Sequence, residues 1–152
     1  MTTRVLLIDD DEAEHEIFSL ALKKYNSSIT VITANNLHES DALLKNFLPD
    51  AIFLDMHMPG INGIEALKRI KEIPDLRDAR LYMYSAFYFT LEEKEALELG
   101  ALRWIKKPDD FEAYQGLFKE LFEQKIIFAL LMHSCTYAAL LPSACNLLKQ
   151  II

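Results

Sequence analysis

Ala51-Ile52-Phe53-Leu54-Asp55-Met56-His57-Met58-Pro59-Gly60-Ile61-Asn62-Gly63 is the stretch on which the fold turns. Ala51 to Leu54 form an unbroken apolar run, so a strand made from them has to be covered on both faces. The run stops at one carboxylate, Asp55. Pro59, Gly60 and Gly63 then break the chain, and the two glycines are half of the four it contains. Asn62, with Glu65 three residues on, has the capping-box pattern and predicts a helix over 63–73. Strand, acid, tight loop and helix therefore succeed one another at once.

The same alternation extends in both directions. Residues 5–8 are a short apolar run bounded by charge, and 11–25 predict a helix with Ala13, Ile17, Leu20, Ala21 and Lys24 along a mostly apolar face. Residues 29–33 are β-branched throughout and predict a strand; 37–48 predict a helix closed by Pro49. Residues 81–84 predict the next strand, and Thr90 with Glu93 a second capping box opening a helix over 91–99. Gly100 stands where a helix ends, 102–105 predict a fifth strand, and Asp110 caps a helix running at least to Lys125. Five βα units in a row imply an α/β fold, a doubly wound parallel sheet with helices on both faces. Ligands of such sheets bind beyond the carboxyl ends of the strands.

What stands at those ends is chemically specific. Asp9, Asp10 and Asp11 follow the first strand, Asp55 the third, Ser85 the fourth, and Lys106, Lys107 and Pro108 the fifth. With strands one and three adjacent, three carboxylates converge beside a hydroxyl and an ammonium. Crowded carboxylates repel, and a hard divalent cation such as Mg²⁺ relieves that repulsion through oxygen ligands. Lysine adds a point positive charge for an anion, serine a donor. The set suits phosphoryl chemistry with one aspartate as acceptor. Any one of these acids alone reads as a helix cap, as Asp11 does; the joint pattern carries the functional reading.

Composition narrows the classes. The 152 residues are 51% hydrophobic and 26% charged, which excludes a disordered or collagen-like chain, and two cysteines exclude a disulfide scaffold. Net charge −7 argues against nucleic acid as a partner. The apolar run 5–8 is too short for a signal-peptide core, so a cytoplasmic location is expected. His57 shares no ligand spacing with His15, His38 or His133, which argues against a zinc site.

Ile8-Asp9-Asp10-Asp11, Leu54-Asp55 through Gly63, Tyr84-Ser85-Ala86 and Lys106-Lys107-Pro108, in that order, resemble the receiver domain of two-component response regulators, over residues 4 to about 124. The resemblance implies a flavodoxin-like sheet of order 2-1-3-4-5, and a stand-alone, chemotaxis-regulator-like receiver. It implies that Asp55 takes a phosphoryl group from a histidine kinase or histidine phosphotransfer protein. It further implies Mg²⁺ on Asp10, on Asp9 largely through water, on Asp55 and on the His57 carbonyl. Ser85 and Lys107, the latter before a cis Pro108, would contact the phosphoryl group, and Trp104 falls at the aromatic switch position. His57 and Phe87, two residues after Asp55 and Ser85, would modulate hydrolysis; Phe87-Tyr88-Phe89 reads equally as a partner-binding patch. Such a receiver switches the binding of a downstream protein and is not an enzyme acting on small molecules. The alternatives are an aspartyl-nucleophile phosphatase or phosphotransferase, and a scaffold independent of phosphorylation.

The departure from the family is at the other end. Residues 1–125 hold 23 acids and 15 bases; of the 27 residues that follow, Lys149 alone is charged. The expectation is a receiver domain over 1–125 and an apolar helical tail over 126–152. A membrane span is argued against by Pro142, which leaves a 16-residue run, or roughly 24 Å of helix against a core of about 30 Å. The favoured reading is a segment packing on the domain or on a second copy, giving a homodimer; an aberrant C-terminus is the remaining reading.

Overall fold

The computed structural model describes residues 3–134 in backbone and the side chains as far as Glu123. The element order is β1 (Arg4–Ile8), α1 (Glu12–Tyr25), β2 (Thr30–Ala34), α2 (Leu37–Leu44), β3 (Ala51–Asp55), β4 (His57–Met58), β5 (Ile61–Asn62) and α3 (Gly63–Lys71). A one-turn 3₁₀ helix (Pro74–Leu76) then precedes β6 (Arg80–Ser85), α4 (Thr90–Glu98), β7 (Arg103–Lys106) and α5 (Phe111–Ser134). The chain divides into two compact units, Met1–Gln115 and Gly116–Ile152. Of the expected tail, 126–134 continue α5 in backbone, and 135–152 lie outside the described residues. No helix among the described residues is long and apolar enough to cross a membrane.

Five strands form one parallel sheet of order β2-β1-β3-β6-β7. Setting aside the two-residue antiparallel hairpin β4–β5, this is the expected order 2-1-3-4-5. The pleat sorts the side chains. Leu6, Ile8, Ile52, Leu54, Leu81, Met83 and Trp104 join a buried cluster with Leu37 of α2, Ile64, Leu67 and Ile70 of α3 and Ala96 of α4. On the other face Phe18 of α1 meets Phe53 edge-on at 4.9 Å and Tyr84 at 5.7 Å. Each such aromatic pair is worth about 0.5–1.5 kcal/mol beyond its buried area.

The caps are largely those predicted. Asp11 accepts from the Ala13 amide, Asn62 from Glu65, and Asp110 from Ala113. Gly100 has φ +92°, the left-handed residue after a helix. α2 ends at Leu44, short of the expected bound at 48, so Pro49 is not what closes it. Two further expectations about the helices fail. α4 starts at Thr90 with Phe89 as a cap that lends no side chain, and the Glu93 carboxylate instead accepts from the Tyr88 hydroxyl. In α1 the buried residues are Phe18, Ala21 and Leu22, while Leu20 is 62% exposed. A stripe through Leu20 and one through Phe18 are both compatible with 3.6 residues per turn, and the larger aromatic surface takes the core.

Gly63 opens α3 against the end of β3, its amide bonded to the Met56 carbonyl at 2.8 Å. A Cβ there would stand 2.7 Å from the Met56 Cα and 2.8 Å from the Asp55 carbonyl oxygen, both backbone atoms that cannot swing aside. Gly63→Ala is therefore expected to cost about 1–3 kcal/mol. The measurement is a urea titration, read as a lower midpoint at unchanged slope.

Candidate functional site

Parallel pairing of β1 with β3 in register Ile8↔Leu54 sets Asp9 and Asp55 side by side at the carboxyl edge of the sheet. Asp9 is fully buried and Asp55 is 4% exposed; Asp10 lies outside them in solvent. Carboxylate oxygens of all three come within 4.8 Å of one another. Lys107 arrives from β7, placing Nζ 2.7 Å from Asp9 Oδ2 and 3.2 Å from Asp55 Oδ1. The Asp11 amide donates to Asp9 Oδ1 at 3.1 Å, and the His57 amide to Asp55 Oδ2 at 3.0 Å. A groove of about 500 Å³ opens beside Asp10, lined among others by Met56, Met58, Asn62 and Glu65.

The charges do not balance within this site. Burial pushes the Asp9 carboxyl above the usual carboxylate range, against the hydrogen bond and charge of Lys107, and Asp55 pushes the same way as burial. Burial alone would lower Lys107; the Asp9 hydrogen bond and the charges of Asp55 and Asp9 outweigh it, and its ammonium is held above the ordinary lysine value. The two directions agree physically, since the lysine faces two anions and Asp9 only one cation. Asp9 Oδ2 is buried with no hydrogen-bond donor besides that ammonium. An incompletely compensated buried oxygen, three converging carboxylates and an all-oxygen donor set fit a hard divalent cation, and the exposed Asp10 leaves a way in.

Ser85, Trp104 and Phe87 meet next to this cluster. Ser85 is fully buried, and its Oγ accepts from the Phe87 amide at 3.4 Å. Trp104 is 5% exposed, and its indole N–H donates to the Phe87 carbonyl at 3.3 Å. Phe87 itself is 66% exposed. Its ring lies 6.3 Å from Phe89, which in turn lies 5.3 Å from His57, a row of rings along the rim. Lys106 is turned away to Asp109 at 2.9 Å, which leaves Lys107 as the lysine of the site. The bond preceding Pro108 is trans, not cis as the resemblance implies; for an X–Pro bond trans is the lower isomer by about 0.5–1 kcal/mol.

The profile of the response regulator receiver domain matches residues 5–119. The chain belongs to that family. Sporulation initiation phosphotransferase F of Bacillus subtilis (strain 168) is 31% identical over 125 residues, covering 82% of this receiver and 98% of that protein. Against seven further curated relatives, the chain spans only 24% to 47% of their length. Among solved structures, the signal receiver domain of the DNA binding response regulator protein merR from Colwellia psychrerythraea 34H superposes with a TM-score of 0.70. It is 24% identical, covering 80% of this chain and 98% of that one. The Mn(2+)-bound form of response regulator Rcp1 superposes at 0.68 with 22% identity, covering 77% and 92%.

Sequence reasoning missed a second constellation of the receiver beneath the first. Glu14 Oε1 accepts from the Tyr84 hydroxyl at 2.6 Å and from the Tyr114 hydroxyl at 2.5 Å, joining α1, β6 and the first turn of α5. Nothing local announces it, since the partners stand 70 and 100 positions away. Burial first, then Glu14, raises both phenols far above the ordinary value of 10. A raised phenol adds stability that is whole below pH 10 and is lost as pH climbs from there toward the folded-state value. Unfolded chains ionise these tyrosines where the folded chain cannot. Stability is thus expected to fall steeply above pH 10, and less steeply in Tyr114→Phe; denaturant midpoints across that range check it.

Proposed function

We propose that this receiver takes a phosphoryl group on Asp55 from a phosphohistidine of a kinase or phosphotransfer protein, and that the phosphorylated form changes which downstream protein it binds. The observation that carries this reading is the ammonium of Lys107 shared between Asp9 and Asp55 at the edge where the sheet opens to solvent. An Asp55 oxygen attacks phosphorus, the P–N bond breaks as the P–O bond forms, and the leaving imidazole nitrogen keeps the electron pair and takes up a proton. Lys107 is placed to neutralise charge on the transferred oxygens, and Ser85 to donate its hydroxyl once turned toward them.

Mg²⁺ would be held by Asp9, Asp10, Asp55 and the His57 carbonyl, and when bound would neutralise charge on the phosphoryl oxygens. The residues favour a hard cation without separating Mg²⁺ from Mn²⁺, which the Rcp1 structure holds. Apart from taking up and slowly losing the phosphoryl group, we assign the chain no catalysis. An exposed His57 occupies the place where an aspartyl-nucleophile phosphatase would need its second acid. Ser85 and Trp104 form the switch, and the row His57, Phe89, Phe87 governs access of water to the acyl phosphate. We place the protein in the cytoplasm, without nucleic acid or membrane as partner.

Incubation with Mg²⁺ and a small acyl-phosphate donor tests the reading. The expected outcome is the mass of one added phosphoryl group, absent in Asp55→Asn and after metal chelation, and formed about 10²-fold more slowly in Lys107→Met. Modification that persists in Asp55→Asn would overturn it. Residues 1–125 we take as the receiver and 126–152 as a segment that pairs two copies. Light scattering is expected to give a dimer for the full chain and a monomer without 126–152; monomers in both remove the pairing.

A further inference from the structure

We infer that Tyr84 is the platform on which Lys107 is held, and that Glu14 fixes that platform in place. The topology requires some such residue. Lys107 follows β7, while its partners Asp55 and Asp9 stand at the ends of β3 and β1, so its side chain has to cross the end of β6. The residue at the crossing is Tyr84, whose Cα is in register with Asp55 on one side and with Ile105 on the other. Lys107 Nζ lies over the Tyr84 ring, 5.6 Å from its centroid, within the range in which a cation is drawn to an aromatic face.

The ring cannot turn away. It is fully buried, with Phe18 edge-on at 5.7 Å and Phe53 edge-on at 5.8 Å. Its hydroxyl is tied to Glu14 Oε1, the atom that also holds Tyr114. A phenol donating to a carboxylate gains electron density, which makes its face more attractive to an ammonium. The hydroxyl points to Glu14, so what it offers Lys107 is a surface and not a hydrogen bond. Lysine is a compact charge on a flexible four-carbon stem, and each rotamer excluded beforehand is one the reaction need not exclude. Tyr84 and Glu14 are therefore positioning residues, acting through Lys107. This role rests on the reading of Lys107 as the contact to the transferred phosphoryl group.

The test is carried out on the full chain with selectively ¹³C-labelled lysine, the Lys107 signal being assigned by its loss in Lys107→Arg. Ring current from Tyr84 is expected to displace the Lys107 Hε resonances upfield of those of the other lysines. The displacement should vanish in Tyr84→Leu, and persist at reduced size in Tyr84→Phe and Glu14→Leu, which keep the ring but lose its tether. The rate of modification by the acyl-phosphate donor should fall about two- to fivefold in Tyr84→Leu and less in Tyr84→Phe. An undisplaced Lys107 signal in the unsubstituted chain overturns the platform, and needs no variant to fold. So does a Tyr84→Phe rate as low as that of Tyr84→Leu. A displaced signal in a chain that takes up no phosphoryl group would leave the platform standing and overturn the proposed function instead.

Discussion

Two carboxylates sunk side by side into the edge of a sheet can both stay charged only if a cation reaches them, and here one ammonium serves both. Lys107 stands 2.7 Å from Asp9 and 3.2 Å from Asp55. Attraction to two anions over-satisfies the lysine and leaves Asp9 short, because the penalty of removing a carboxylate from water is the larger effect on that residue. The site consequently keeps an excess of negative charge that a divalent cation is suited to meet. That demand follows from the order of strands. β1 beside β3 brings the acids together, and β7, two places along from β3, supplies the lysine across β6. An order that broke the run β1-β3-β6-β7 would separate the three groups.

Much of this was legible because parallel strands buried on both faces are hard to mistake. The runs at residues 5–8, 51–54 and 81–84 have no polar face, and each lies within a strand of the sheet. Their ends were harder to read. β3 runs on through Asp55 and β6 from Arg80 to Ser85, because pairing belongs to the backbone and takes in polar residues that hydropathy leaves outside. The pattern at Thr90 and Glu93 misled for a different reason. A capping box competes with every other donor within reach of the glutamate, and the Tyr88 hydroxyl takes that carboxylate.

The site was legible to the extent that its chemistry stands at strand ends, where topology alone makes residues from distant segments neighbours. Asp9, Asp55, Ser85 and Lys107 could be gathered that way. Glu14, Tyr84 and Tyr114 could not. Tyr84 sits inside a strand, where an aromatic residue ordinarily means packing, and Glu14 sits among other acids in the first turn of α1, where an acid ordinarily answers the helix dipole. Their pairing depends on the third dimension, down to which oxygen of one carboxylate faces two phenols. Gly63 lies between these cases. Its place in a loop motif was plain, but the reason no side chain fits there is that backbone atoms of Asp55 and Met56 stand less than 3 Å from where its Cβ would be.

The same edge joins the acids to the surface through a single residue. The amide N–H of Phe87 is given to Ser85 Oγ and its carbonyl oxygen accepts from Trp104, so both backbone groups of one exposed residue are committed inward. Both bonds join neutral groups and are long, the serine contact at 3.4 Å and the indole contact at 3.3 Å. Ser85 Oγ only accepts from Phe87, so its O–H is free to donate, and a charge-assisted bond to a phosphoryl oxygen, roughly twice as strong as a neutral one, would outweigh the Phe87 contact if Ser85 had to turn to make it. The indole bond would then be what holds the Phe87 backbone to the sheet. A phenylalanine at 104 would have no donor for this, and a tyrosine would carry its donor at the tip of the ring and not along its side. Under the switch proposed above, tryptophan would change what a turn of Ser85 can release: one bond to the loop would be lost and another retained.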